Sequence, residues 1–132
     1  MKSMSTAIST AGAPKAIGPY SQAVRAGDLV FLSGQIPLDP STGELVKGTI
    51  EVETTRVIDN LRAVLAAAGC TFANVARTTI YLTDMNDFAA VNAIYGKAFD
   101  GCETLPARAT VEVKGLPKGA RVEIDAIAVL SS

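Results

Sequence analysis

The stretch "VARTTIYLTDMNDFAAVNAIYGKAF", Val75 to Phe99, changes its hydrophobic period partway along. From Val75 to Leu82, β-branched and aromatic residues predominate, and Ala76, Thr78, Ile80 and Leu82 alternate with Val75, Arg77, Thr79 and Tyr81. This pattern predicts a strand mostly buried on both sides. Beyond Asp84 or Asn86, either of which suits a helix start, Phe88, Val91, Ile94, Tyr95 and Phe99 recur at helical spacing. We read that stripe as core. A strand running into an amphipathic helix places the chain among folds that pack helices on a sheet.

Working outward, Glu51 to Ala68 repeats the helical pattern. Val52, Ile58, Leu61, Val64, Leu65 and Ala68 form one face, Glu53, Arg56, Asp59 and Arg62 fall elsewhere, and Gly69 follows as a cap. Upstream, "YSQAVRAGDLVFLSGQIP" holds two β-rich runs around Ala26-Gly27-Asp28 and predicts a hairpin. Pro37, Pro40 and Gly43 then enforce a loop. Downstream, Arg108 to Lys114 and Arg121 to Leu130 read as a closing strand pair joined by "GLPKGA". The expected fold class is α+β: a ββαβαββ chain forming one sheet, with both helices on a single face because each offers one apolar stripe. A single domain spans 1–132, with about residues 1–12 as a polar N-terminal extension.

Composition narrows the function. The chain has 132 residues, 48% hydrophobic and 19% charged, and Lys+Arg 12 against Asp+Glu 13 leave a formal net charge of -1. That balance argues against nucleic-acid partners, which select basic surfaces. Low charge with a positive mean hydropathy hints at apolar surface covered by another subunit. Histidine is absent, so acid–base chemistry falls to Glu, Asp, Tyr, Lys or water. Cys70 and Cys102 stand far apart with no CxxC, which suits buried thiols better than zinc or a disulfide framework. No metal is expected. Neither a signal-type start nor a run of about 20 apolar residues occurs, and a cytoplasmic protein without membrane contact is expected.

Alternation in "RATVEVK" puts Arg108, Thr110, Glu112 and Lys114 on one side. In "RVEIDAIAVL" it puts Arg121, Glu123 and Asp125 on one side, opposite Val122, Ile124, Ala126 and Ala128. If the apolar sides pack on the helices, Arg108 and Glu123 share the outer surface. Such a surface is ordinarily a solvated face with cross-strand charge pairs, each worth about 0.2–1 kcal/mol. Other residues point to a ligand: Ser33 and Gly34 interrupt a buried-looking strand, and Gly within a strand often marks close approach of a ligand. Tyr20 follows Gly18-Pro19, which restricts the backbone beneath a phenol.

Taken together, "AIGPYSQAV", "FLSGQIPLDP", "YLTDMNDFAAVNAIY", "LPARATVEV" and "LPKGARVEIDAIAV" make the sequence resemble the Rid, or YjgF, family of reactive-intermediate deaminases, over Ile8 to Val129. The resemblance implies a chorismate-mutase-like fold, a homotrimer with ligand sites between subunits, and hydrolysis of 2-imino acids, formed from 2-aminoacrylate and related enamines, to 2-oxo acids and ammonia. No cofactor is implied. By motif, Arg108 resembles the arginine that grips the substrate carboxylate, while Tyr20, Ser33, Gly34, Asn92 and Glu123 resemble the other site residues. Thr110 departs from a cysteine common in the family; its hydroxyl still suits a hydrogen bond to substrate.

An arginine fork fits a planar carboxylate through two parallel charge-assisted bonds, and a carboxylate such as Glu123 suits a general base for water. Arg108, Glu123 and Tyr20 are therefore the expected catalytic residues. Arg108, Ser33, Gly34, Asn92 and Thr110 are the expected binding residues. A non-catalytic sensor of 2-oxo acids or other small carboxylates would use the same clamp. An RNA-directed role fits poorly, since three Tyr, four Phe, no Trp and no clustered Lys or Arg offer neither a stacking platform nor an electrostatic funnel.

Overall fold

A computed structural model describes residues 4–131. Its elements are β1 (Thr6–Ile8), β2 (Ala23–Ala26), β3 (Leu29–Gln35), α1 (Ile50–Ala67), β4 (Val75–Leu82), α2 (Phe88–Ala98), β5 (Ala107–Glu112) and β6 (Val122–Val129). The strands form one mixed sheet in the order β1-β2-β3-β6-β4-β5. Both helices pack on one side of it, sharing a core with Val30, Leu32, Ile80, Leu82, Val122 and Ile124.

Local chemistry explains the helices. Thr49 caps α1 by accepting from the Val52 N–H, and Glu51 and Glu53 sit in the first turn, where the helix dipole favours anions. Gly69, at φ 76°, ends the helix in the left-handed region that glycine tolerates, and the Cys70 N–H returns to the Leu65 carbonyl. A short 3₁₀ turn capped by Asp84 leads into α2. Val91, Tyr95 and Phe99 are buried as expected, but Phe88 is 37% exposed. The expected α1 face needs correction too. Val52 is 45% exposed, whereas Glu53, Thr54 and Asn60 are buried, each held by bonds that a polar residue needs in a core.

The β2–β3 hairpin forms around Gly27, at φ 62°. Two other expectations fail. A strand, β1, lies inside the stretch read as a polar extension; at three residues, two of them exposed, it carries no readable period, and it exists through pairing with β2. Met1 to Ser3 of that stretch lie outside the described residues. More consequentially, β5 and β6 are not a hairpin. β6 is buried at Val122, Ile124, Ala126 and Ala128 and lies between β3 and β4, while β5 joins the far edge parallel to β4, with α2 as the crossover.

That pairing decides where side chains point. Register places Arg108 beside Thr78 and Thr110 beside Ile80, so the polar side of β5 turns toward the helix layer and Val111 toward the open face. On β6 the expected sides hold, with Glu123 and Asp125 on the open face beside Tyr81 and Thr79. Arg108 and Glu123 of one chain therefore lie on opposite faces, not on a shared surface. Likewise, β4 is buried only toward the helices; Arg77 on the open side is exposed, and Thr79 and Tyr81 are half-buried. Among the described residues no helix is long and apolar enough to cross a membrane.

Candidate functional site

The residues singled out from sequence gather into two groups. The first lines a cleft of ≈ 570 Å³ bounded by Tyr20, Ser33, Gly34, Ile36, Leu38 and Glu123. Its floor is a β-bulge. Pairing of β3 with β6 loses register between Leu32 and Gln35, leaving Ser33 and Gly34 out of the ladder, and bulges of this kind re-aim side chains beside ligand sites. The Ser33 hydroxyl donates to the Ser21 carbonyl at 2.6 Å. Gly34 lets the Glu123 carboxylate lie close over the backbone: a Cβ there would come within 2.8 Å of Glu123 Cδ, so a larger residue would displace that carboxylate. Tyr20, 48% exposed, stands at the rim, its hydroxyl accepting from the Ile17 N–H at 3.2 Å and keeping its proton free to donate.

Glu123 is the one carboxylate among the residues lining this cleft, which also include Lys15. Burial, and next the charge of Asp125 two residues along the same face, push its carboxyl above the ordinary range. Asp125 is itself held by the Tyr81 hydroxyl at 3.1 Å and the Thr79 N–H at 3.2 Å. Burial first, then the Asp125 charge, also raise the Tyr81 phenol.

The second group stands at the β5 edge against α2. Arg108 donates from Nη1 to Asn92 Oδ1 at 2.7 Å, and its guanidinium carbon lies 5.0 Å from the Tyr95 ring centroid and 5.7 Å from that of Phe88. Nε and Nη2, the edge of the fork suited to a carboxylate, make no hydrogen bond among the described residues. Thr110, next on the same side of the strand, has an enclosed hydroxyl without a partner among the described residues. A restrained guanidinium and a carboxylate of raised proton affinity thus stand on separate faces of the sheet.

A family model described as Endoribonuclease L-PSP matches residues 10–130. The chain belongs to that family, the Rid family. The Rid chain is 60% identical to the protein DfrA of Myxococcus xanthus over 93% of its own length and 94% of the relative's. It is 55% identical to the 2-iminobutanoate/2-iminopropanoate deaminase of Mus musculus, covering 92% and 89% of the two chains. The crystal structure of the Rid-family protein YyfA from Yersinia pestis superposes with a TM-score of 0.92 at 48% identity, covering 96% of this chain and 99% of that one.

The sequence reading placed Arg108 and Glu123 on one surface, and the structure puts them on opposite faces of the sheet. That reading named Asn92 as a binding residue but took its neighbours Phe88 and Tyr95 only as core, although Phe88, Asn92 and Tyr95 follow i, i+4, i+7 on one side of α2 and all three meet Arg108. It passed over two buried amides that hold the cleft walls. Gln22 is 5% exposed and donates to the Thr10, Ala13 and Pro14 carbonyls, pinning the loop that carries the cleft's near wall. Asn60 does the same for the far wall, donating to the carbonyls of Ile36 and Leu38.

Proposed function

We propose that this Rid chain hydrolyses 2-imino acids to 2-oxo acids and ammonia, at sites completed between protomers of a homotrimer. The supporting observation is the Arg108 fork, held at Asn92 and against two rings with its Nε/Nη2 edge free, as a planar carboxylate requires. Curated mammalian relatives named 2-iminobutanoate/2-iminopropanoate deaminase, at 51% to 55% identity, support the reaction class. The open sheet face supports assembly: Leu29, Phe31, Val111 and Val129 are each about two-fifths exposed there and offer apolar surface for a neighbouring protomer to cover. Since Arg108 and Glu123 of one chain face apart, the clamp of one protomer serves the cleft of its neighbour.

In the reaction, Arg108 takes the substrate carboxylate by both oxygens, and Asn92 and the Thr110 hydroxyl border the same end. At the other end Glu123, unprotonated, accepts a proton from a water whose oxygen bonds to the imine carbon. The C=N π electrons move to nitrogen, which takes a proton from solvent and gives a carbinolamine. A second proton, the one the water left on Glu123, converts the amine to a leaving group; the C–N bond breaks, the hydroxyl oxygen returns its proton to solvent, and a 2-oxo acid and ammonia remain with Glu123 again unprotonated. Tyr20, Ser33 and the Gly34 backbone orient the water and the nitrogen. Such positioning with one general base contributes about 10²–10⁴-fold, enough for imines that already hydrolyse in water.

Arg108→Lys tests this. It keeps the charge and loses the fork, so turnover of freshly generated 2-iminobutanoate, followed as ammonia and 2-oxobutanoate, falls by about 10²-fold while the assembly stays intact. Turnover close to that of the unmodified protein would overturn the clamp. Saturable 2-oxobutanoate binding by the unmodified protein with no turnover would make the chain a carboxylate-binding protein instead.

A further inference from the structure

Arg108 leaves an exposed edge strand, where an arginine ordinarily samples many rotamers and loses that freedom on binding. Here its head is restrained by a closed circuit of contacts. Thr78 is the backbone partner of Arg108 across β4 and β5. The Thr78 hydroxyl bonds to the Tyr95 hydroxyl at 2.7 Å inside the core, where Thr78 is 2% and Tyr95 7% exposed. The Tyr95 ring meets the Arg108 guanidinium at 5.0 Å and leans on Phe99, with centroids 4.8 Å apart. The head of the arginine is thereby tied, through two buried side chains, to its own strand.

A core could be filled at this point by Phe and Val without any hydroxyl. The buried polar pair instead fixes the tilt and height of one ring, and that ring is the one facing the cation. We propose that Tyr95, tethered by Thr78, is a positioning residue that presets the Arg108 guanidinium for a planar carboxylate. It acts through Arg108 and touches no reacting atom. The inference rests on Arg108 being the carboxylate clamp.

The test compares 2-oxobutanoate with its uncharged amide, 2-oxobutanamide, by calorimetry, alongside kcat and KM for 2-iminobutanoate. Tyr95→Leu removes the ring and weakens 2-oxobutanoate about tenfold, or about 1.4 kcal/mol. KM rises by a similar factor, with kcat and the affinity for the amide within about twofold of the unmodified protein. Tyr95→Phe returns the ring without the tether, and acid binding recovers to about threefold weaker than in the unmodified protein, the same deficit as in Thr78→Val. A folded Tyr95→Leu that binds the acid normally, or that loses acid and amide equally, overturns the proposal. If Tyr95→Leu does not fold, Thr78→Val decides: about threefold weaker acid binding supports the proposal and unchanged binding overturns it. Arg108→Ala separates the levels. Undiminished acid binding in that variant would remove the clamp reading itself, whereas lost binding there with normal binding in the Tyr95 and Thr78 variants removes only the positioning role.

Discussion

Glu123 shows how much of a residue's chemistry comes from its surroundings. A glutamate on an alternating strand is ordinarily a solvated surface charge; here the bulge at Ser33 and Gly34 and the cleft wall withdraw it from water, and Asp125 adds a like charge. As the proposed general base it works unprotonated, so activity is lost as pH falls through its raised pKa. The acid limb of kcat/KM against pH therefore lies higher than an unperturbed glutamate would put it. Asp125→Asn removes the smaller of the two causes, so the limb moves to lower pH while burial still holds it up. An unmoved limb would show that the Asp125 charge does not reach Glu123, and a rate that does not fall at low pH would remove Glu123 as the base.

Elements are shaped by polar residues that periodicity assigns to water. On α1, Asn60 is fully buried, donating to the Ile36 and Leu38 carbonyls and accepting from Arg56 Nε at 3.1 Å. Asn60→Ala leaves the enclosed Leu38 carbonyl without its side-chain donor and the Ile36 carbonyl with only the Leu38 N–H, which costs about 2 kcal/mol. Differential scanning calorimetry then shows Tm lower by about 10 °C. A change of a degree or two would mean that the cleft wall is held by its apolar contacts alone. Glu53, on the same helix, pairs with Arg121, which also donates to the Gly48 carbonyl at 2.6 Å, so helix, loop and the start of β6 are tied together. Helical spacing located α1 correctly but could not identify its inward polar residues, since a buried Glu or Asn shares its period with exposed ones.

The separation of the two half-sites matters for the whole molecule. In a cyclic trimer whose sites combine Arg108 of one protomer with Glu123 of the next, Arg108→Ala and Glu123→Gln are each nearly inactive as pure proteins. Denaturing them together and refolding them in equal amounts places an intact pair at one seam of every mixed trimer. With random assortment, about a quarter of the wild-type activity returns. Recovery measured by ammonia release supports shared sites; no recovery, with mixed trimers verified by mass, would place each site within one chain.

Read alone, the sequence determined the elements other than β1 and the chemistry available to them. The change of period at Asp84, the apolar stripes, the capping Gly69 and the hairpin at Gly27 are local signals, and so are the residues Tyr20, Ser33, Gly34, Arg108 and Glu123, marked by motif and by polar interruptions of apolar runs. Tertiary structure decided strand order and therefore direction. Alternation gives a strand two faces but does not say which one meets the helices. Only the parallel pairing of β5 with β4, after β6 had taken the place beside β3, turned Arg108 toward Tyr95 and away from its own Glu123.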